Sequence, residues 1–593
     1  MRSHALQVPS IRYEVDCELT MPGSKSHANR AIICAALSHG TTLIKNATPC
    51  DDVLVMVSNL RKMGFRLEWI NRATGELKVH GGIPTGEGRK GKLDCHNAGT
   101  ALRFLTSVAA LVPGHWTITG NRHMLKRPIG DLVHALKQLG VRIRDKNGSL
   151  PLEVEGGLII GSKIQLKADV SSQYLTSLLL IAPALPQGLT IDLLGPLASS
   201  GYVQLTRKVM SDFGVSFQND GNKFTVPARF YQAPRSYEVE GDWSAAGSWM
   251  VLEALTGSSV RFTNLSRASE QSDRLLPGVI DSMKKPGDMT VDVSEIPDQM
   301  MNLSVLAAFR NGKTTFTGAR NLRHKECDRL HVTKVELSKA GVNIVEFEDG
   351  VTVTGAGNAA NLGKDANPIV MDPHNDHRMA MCFATLGLLR PGVSIHHHRC
   401  VAKSYPQFFA DLRYVLSKNK PIALIGMRGV GKSNLARRLA SSLRIKVKDT
   451  DQMVKNQHGV VVDYIEKHGV EEFRKRELDA VREAIKPGFV VSLGGGAIET
   501  PEVRELLKKH TICIWLNATE EEVVRRLKEA KRPRASLTGL PMKEEIAVLT
   551  ERRLPLYKEC SSIEIDANEP WDQHVPSVIS TMTKRLRERS LHS

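Results

Sequence analysis

GSKSHANRAIICAALSHGTTLIKN, residues 23–46, opens on small polar residues, runs through an apolar helical stretch, breaks at Gly40 and ends in a short strand. Five later stretches repeat that order within the first 418 residues: NAGTALRFLTSVAALVPGHWTITG from Asn97, SSQYLTSLLLIAPALPQGLTIDLL from Ser171, DWSAAGSWMVLEALTGSSVRFTNL from Asp242, PDQMMNLSVLAAFRNGKTTFTGA from Pro297 and NDHRMAMCFATLGLLRPGVSIHHH from Asn375. Self-similarity at a period of roughly seventy residues marks repeated supersecondary units. The helices are apolar nearly all round, which predicts burial of each inside its domain. Their first turns are polar, and Lys25, Arg30, Arg103 and Arg378 sit beside several of them. Six such starts read as N-caps, and aimed at one cleft they would make an anion site from free N–H groups and helix dipoles. One interval is short: between Asp242 and Asp298 the chain, through DSMKKPGDMTVDV (281–293), is expected to have lost about two strands.

The bulk properties fit soluble globular protein. The chain has 593 residues, enough for several cores, with 41% hydrophobic and 24% charged residues. Residues 1–20 carry charges where a signal peptide needs an apolar run, so the expected address is cytoplasmic. Nine cysteines, scattered and without a CxxC pair, read as reduced thiols rather than disulfides or a zinc site. The net charge of +17 is spread along the chain among acids, with no basic tail. It points to clefts for small anions and away from nucleic acid or membrane.

The strings PGSKSHANRA (22–31), NAGTALRFL (97–105), KRPIGDLV (126–133), SSQYLTSLLL (171–180), EIPDQM (295–300), NLRHKECDRL (321–330), NDHRMAMCFA (375–384) and CVAKSYPQFF (400–409) closely resemble 5-enolpyruvylshikimate-3-phosphate (EPSP) synthases, in order. The resemblance implies a two-domain inverse α/β fold of six repeats over residues 1–418. One half would be 1–20 with 241–418 and the other 21–240, with crossings near Gly23 and Gly241. It implies transfer of enolpyruvyl from phosphoenolpyruvate to shikimate 3-phosphate, without a metal. By the same likeness Lys25 touches both substrates and is catalytic, Ser26 and Arg30 hold shikimate phosphate, and Gly99, Arg127, Arg329, Arg378 and Lys403 bind phosphoenolpyruvate. Ser171, Ser172 and Gln173, with Ser199 and Tyr202, grip the 3-phosphate, and Asn321 and Lys325 join the binding set. Asp298 and Glu326 are the implied proton-transfer pair, Asp298 at the hydroxyl. The related cell-wall transferase acting on a UDP-sugar fits less well: Cys95 lies in a different motif from that enzyme's reactive loop cysteine, and the SKS and NDHRMAM strings favour the shikimate branch.

After the polar linker SKNKP (417–421) the character changes. Four apolar residues lead into Gly426-Met-Arg-Gly429-Val-Gly431-Lys432-Ser433 and an amphipathic helix, the strand–loop–helix context of a P-loop. Backbone N–H groups there cradle phosphates, Lys432 reaches the outer ones and Ser433 reaches Mg2+. With KDTDQMV, EEFRKRELDAV, SLGGGAIE, KRPRASLTG and RRLPLYKE following in order, residues 419–593 resemble shikimate kinases, a parallel-sheet α/β domain. That likeness implies ATP and Mg2+, with Asp449 at the metal and Asp451 on the shikimate hydroxyls as proton acceptor. Arg474, Gly494, Gly495, Gly496 and Arg553 would hold the acceptor, and Arg532 the lid, with Arg534 as the alternative. The kinase product would be the transferase substrate, two consecutive steps toward chorismate and the aromatic amino acids. The same pair in the same order resembles the middle of the fungal pentafunctional polypeptide. The rival readings are a kinase-like part that binds nucleotide as a regulatory module without turnover, and a basic chain that serves nucleic acid.

Overall fold

The computed structural model describes residues 5–11, 14–86, 88–168, 171–195, 197, 201–362, 367–418, 420–443, 445–529, 539–568 and 571–588. Three large apolar cores run through them. One draws on positions 28–239, a second on 8–21 with 243–415, and a third on 422–582.

The second repeat shows the unit. Strand Lys90–Asp94 leads into helix Gly99–Leu111, which returns to the parallel strand Gly114–Thr119; helix Gly130–Gln138 then precedes a hairpin, Arg142–Lys146 with Ser149–Gly156. The later hairpin strand pairs antiparallel with Gly114–Thr119, so the four strands lie in the order first, second, fourth, third. The third and fifth repeats have the same order. The first borrows its leading strand, Ser236–Glu238, from far along the chain, parallel to Thr41–Lys45. In the sixth, Leu6–Gln7 lies antiparallel beside Val393–Ile395.

The fourth repeat is the short one. Only Asp16–Leu19 and Ser259–Phe262 pair, and helix Leu276–Met283 passes directly to strand Met289–Asp292 of the fifth. The hairpin is missing where the sequence interval is short.

The leading helix of each repeat is walled in, as its composition requires. All thirteen residues of His377–Leu389, all nine of Met300–Ala308 and eleven of the thirteen in Lys25–Leu37 are buried. The two passages between the first and second cores lie against each other. Gly23 and Gly241 form an antiparallel bridge, Ser24 N donates to Glu240 O at 2.9 Å, and Asp242 N donates to Pro22 O at 2.8 Å. A Cβ on Gly23 would collide with the Asn46 carbonyl, so glycine permits this approach.

Residues 422–566 hold a five-stranded parallel sheet in the order Lys446–Asp449, Phe489–Ser492, Ile422–Ile425, Ile512–Asn517, Ile563–Asp566. The junction before it is tied down: Asp16 N donates to Lys418 O and Lys420 N to Glu14 O, each at 2.8 Å, and Lys420 pairs with Glu14 at 2.7 Å. No helix among the described residues is long and apolar enough to cross a membrane.

Candidate active sites

Five of the six leading helices bring their starts to one cavity of about 940 Å³, part of it open to solvent. Lys25 and Ser26, Gly99 and Thr100, Ser171 to Gln173, Asp298, and His377 with Arg378 all line it. The sixth start, Asp242 and Ser244, lines a smaller adjoining cavity that shares Lys25, Ser26, Tyr202 and Arg378. Three starts are capped by side chains. Ser171 accepts from Gln173 N, Asp242 from Ser244 N and Ala245 N, and Asp376 from Arg378 N. The expectation of six caps fails at the other three. Ala98 has no side-chain acceptor, the chain enters Met300–Ala308 through the 3-10 turn Pro297–Gln299, and Ser24 makes no cap bond. At Lys25 and Gly99 this leaves first-turn N–H groups uncapped beside the cavity.

The charges interlock. Arg329, almost wholly buried, reaches Asp298 at 2.8 Å, Glu326 at 3.0 Å and Asp376 at 2.7 Å. Asp298 also faces Arg378 at 3.2 Å and Lys325 at 3.4 Å, and Tyr202 donates to it at 3.5 Å. Asp52 accepts from Lys25 at 2.8 Å and Lys403 at 2.9 Å, and Lys403 pairs with Glu326 at 3.2 Å. Burial alone would raise the Asp298 carboxyl, but Arg378, Lys325 and Arg329 outweigh it and hold the group well below the usual range. At Glu326 burial is likewise outweighed, by Lys403, Arg329 and Arg127. Both are carboxylates here. His377 is pushed well below its ordinary value by burial and by Lys25, so its ring is neutral.

Several polar atoms of the residues that line the cavity are unpaired. The Nε atoms of Arg103, Arg127 and Arg378 and both ring nitrogens of His377 are buried without hydrogen-bond partners. Such groups are costly to bury unpaired. Arg30 differs: its guanidinium already donates to Thr206 Oγ1, Ser26 O and Tyr202 O. Gly99 sits under the arginines, and a Cβ there would lie 2.6 Å from Arg127 Nη1 and 2.9 Å from Arg103 Nη1.

In the parallel sheet the second site gathers at the strand ends, as ligand sites in such sheets do. Gly426, Gly429 and Gly431 have φ of +139°, +85° and +95°, and Lys432 Nζ donates back to Gly426 O and Met427 O. Ser433 Oγ donates to Asp449 Oδ2 at 2.6 Å. At the ends of the Gly494–Gly496 turn there is little room for a side chain. A Cβ on Gly494 would collide with Asp451 and come 2.7 Å from Glu477, and one on Gly496 would come 2.6 Å from Arg474. Glu499 gathers the cations, with Arg474 at 2.8 Å, Arg553 at 2.8 Å, and Arg552.

Residues 10–412 match the family model described as EPSP synthase (3-phosphoshikimate 1-carboxyvinyltransferase). The chain belongs to that family. Behind it, residues 428–583 match the shikimate kinase family model, so both domains stand in one chain. Among relatives, a "Pentafunctional AROM polypeptide" of Yarrowia lipolytica is 33% identical over 92% of this chain and 38% of its own length. A "Pentafunctional AROM polypeptide 2" of Lodderomyces elongisporus is 34% identical over 93% of this chain and 39% of its own. The chain thus spans about two-fifths of the curated relatives it matches. An EPSP synthase structure from Acinetobacter baumannii covers 70% of this chain and 98% of its own at 23% identity and a TM-score of 0.58, a likeness of fold.

Of the transferase residues read from sequence, Lys403 stands behind the cavity wall through Asp52 and Glu326, Ser199 lies outside the described residues, and the rest line the cavity. Arg532 and Arg534 also lie outside the described residues. Sequence reasoning missed Asp52, Tyr174, His324 and His377 at the first site, and Glu477 and Glu499 at the second. His377 was visible inside NDHRMAM; Asp52, in an ordinary amphipathic helix, carried no signal.

Proposed function

We propose that the chain catalyses two consecutive transfers: ATP-dependent phosphorylation of shikimate to shikimate 3-phosphate, then transfer of enolpyruvyl from phosphoenolpyruvate to that product, releasing phosphate. The observation that carries the second step is the single cavity where Lys25, Arg127, Lys325 and Arg378 meet Asp298 and Glu326. Two phosphorylated acids need that density of cations and N–H donors. Their negative charge would compete for Arg378, Lys325 and Arg329. The Asp298 carboxyl, relieved of part of its counter-charge, would rise toward the range where it accepts a proton from the attacking hydroxyl. Glu326, paired with Lys403 at 3.2 Å, is the other member of the proton-transfer pair in this reading.

In the kinase domain, Arg474 and Arg553 would exchange Glu499 for the shikimate carboxylate. Asp451, against the glycine turn, would take the hydroxyl proton. Lys432 would leave its two carbonyls for the outer phosphates. The hydroxyl and carboxylate oxygens of Ser433 and Asp449 suit a hard cation, and would hold the Mg2+ that arrives with ATP. When bound, that ion neutralises phosphate charge. A cytoplasmic location belongs to this reading, and the nine cysteines, all free, agree with it.

The test supplies purified chain with shikimate, ATP and Mg2+, then adds phosphoenolpyruvate. ADP formation that requires shikimate, followed by phosphate release that requires both phosphorylated acids, is expected. ADP formation indifferent to shikimate would overturn the kinase reading. No release of phosphate from phosphoenolpyruvate when shikimate 3-phosphate is supplied would overturn the transferase reading.

A further inference from the structure

The three histidines that close the sixth repeat, His396 to His398, have no part in the chemistry above. Strands Ile369–Met371 and Val393–Ile395 run parallel with Met371 opposite Ile395, and His396 N donates to Met371 O at 2.9 Å. Asp372 and His396 therefore leave the sheet side by side, at the C-terminal edge where parallel strands collect ligands. His397 follows with φ at +45°, a backbone region a histidine seldom occupies, and its Nδ1 comes 3.7 Å from Asp372 Oδ1. That is too long for a hydrogen bond. It is close to the roughly 3.3–3.6 Å between neighbouring ligands on one tetrahedral ion with bonds of about 2.0–2.2 Å.

We propose that Asp372, His396 and His397 bind a divalent transition-metal ion of the zinc class. Their ligand atoms all lie within 4.8 Å of one another. The loop is held ready: Asp372 N donates to the buried Glu336 at 3.0 Å, and Asp372 Oδ1 accepts from His374 N at 2.8 Å. His398 stays out, its ring packed edge-on to Phe409. Two imidazoles and one carboxylate select Zn2+, Co2+, Ni2+ or Cu2+ over Mg2+, which prefers oxygen ligands throughout. Three protein ligands leave a coordination position for water. An ion here would join the loop that runs to Arg378 with the loop that runs to Lys403.

The full chain, stripped with a chelator and dialysed against Zn2+, should hold one more zinc per molecule than H396A/H397A or D372N, counted by elemental mass spectrometry. Co2+ should give the parent a visible absorption that both variants lack, and Zn2+ should raise the thermal midpoint of the parent alone. H397A, at a half-exposed position, keeps the test open if the double variant unfolds. Equal zinc counts in parent and folded variants would overturn the site. Displacement of the zinc by tenfold Mg2+ would overturn the assigned metal class.

Discussion

Gly99 shows how one missing methyl group can shape a cavity. Alanine there would press on Arg127 and Arg103, so Gly99→Ala should raise the Michaelis constant for phosphoenolpyruvate about tenfold with turnover within about twofold. An unchanged constant would exclude the placement. Asp298 and Glu326 contribute to the acid dependence of stability. Their folded values lie well below the unfolded carboxylate value near 4, so their stabilisation is full above that value and is lost as pH falls toward the depressed ones. Asp298→Asn should therefore flatten the fall in stability from pH 5 to pH 2 in denaturant melts; a fall as steep as the parent's would refute this. At this scale the sequence was informative where a residue sits in a motif. Asp52, which joins Lys25 to Lys403, was invisible because its partners are brought to it only by the fold.

Among the elements, the leading helices were the most legible. An all-round apolar face can only be buried, and it is. Caps were less so, because a polar residue near a helix start caps only if the entering chain turns it back onto the N–H groups. Ser171, Asp242 and Asp376 do this and Ser24 does not. Asp242→Ala should cost about 1 kcal/mol in the denaturant midpoint of the second core; no loss would mean that the two bonds are replaced by water. In the glycine turn after Phe489–Ser492, a methyl group on Gly496 would have to push the Arg474 guanidinium aside. Gly496→Ala should lower shikimate-dependent ADP formation at least about a hundredfold by displacing Arg474 while sparing transferase turnover. Equal losses in both activities would point to misfolding instead.

For the whole molecule, three cores imply separable responses to ligands. ATP with Mg2+ should raise the midpoint of one calorimetric transition, and shikimate 3-phosphate that of another. A single transition moved equally by both would mean that the cores unfold as one. The repeat count and the short fourth repeat could be read from spacing alone. The ring-like closures could not, since Ser236–Glu238 and Leu6–Gln7 join sheets whose other strands lie far away in the chain. The linker read as a plain polar tether is also bonded to Glu14 and Asp16, through backbone groups that composition does not report.

The paired passages at Gly23 and Gly241 have a mechanical consequence. Two strands that exchange hydrogen bonds at the same point cannot slide or twist independently. They are pinned to one spot, so a side chain at Gly23, which would collide with the Asn46 carbonyl, would disturb both passages together.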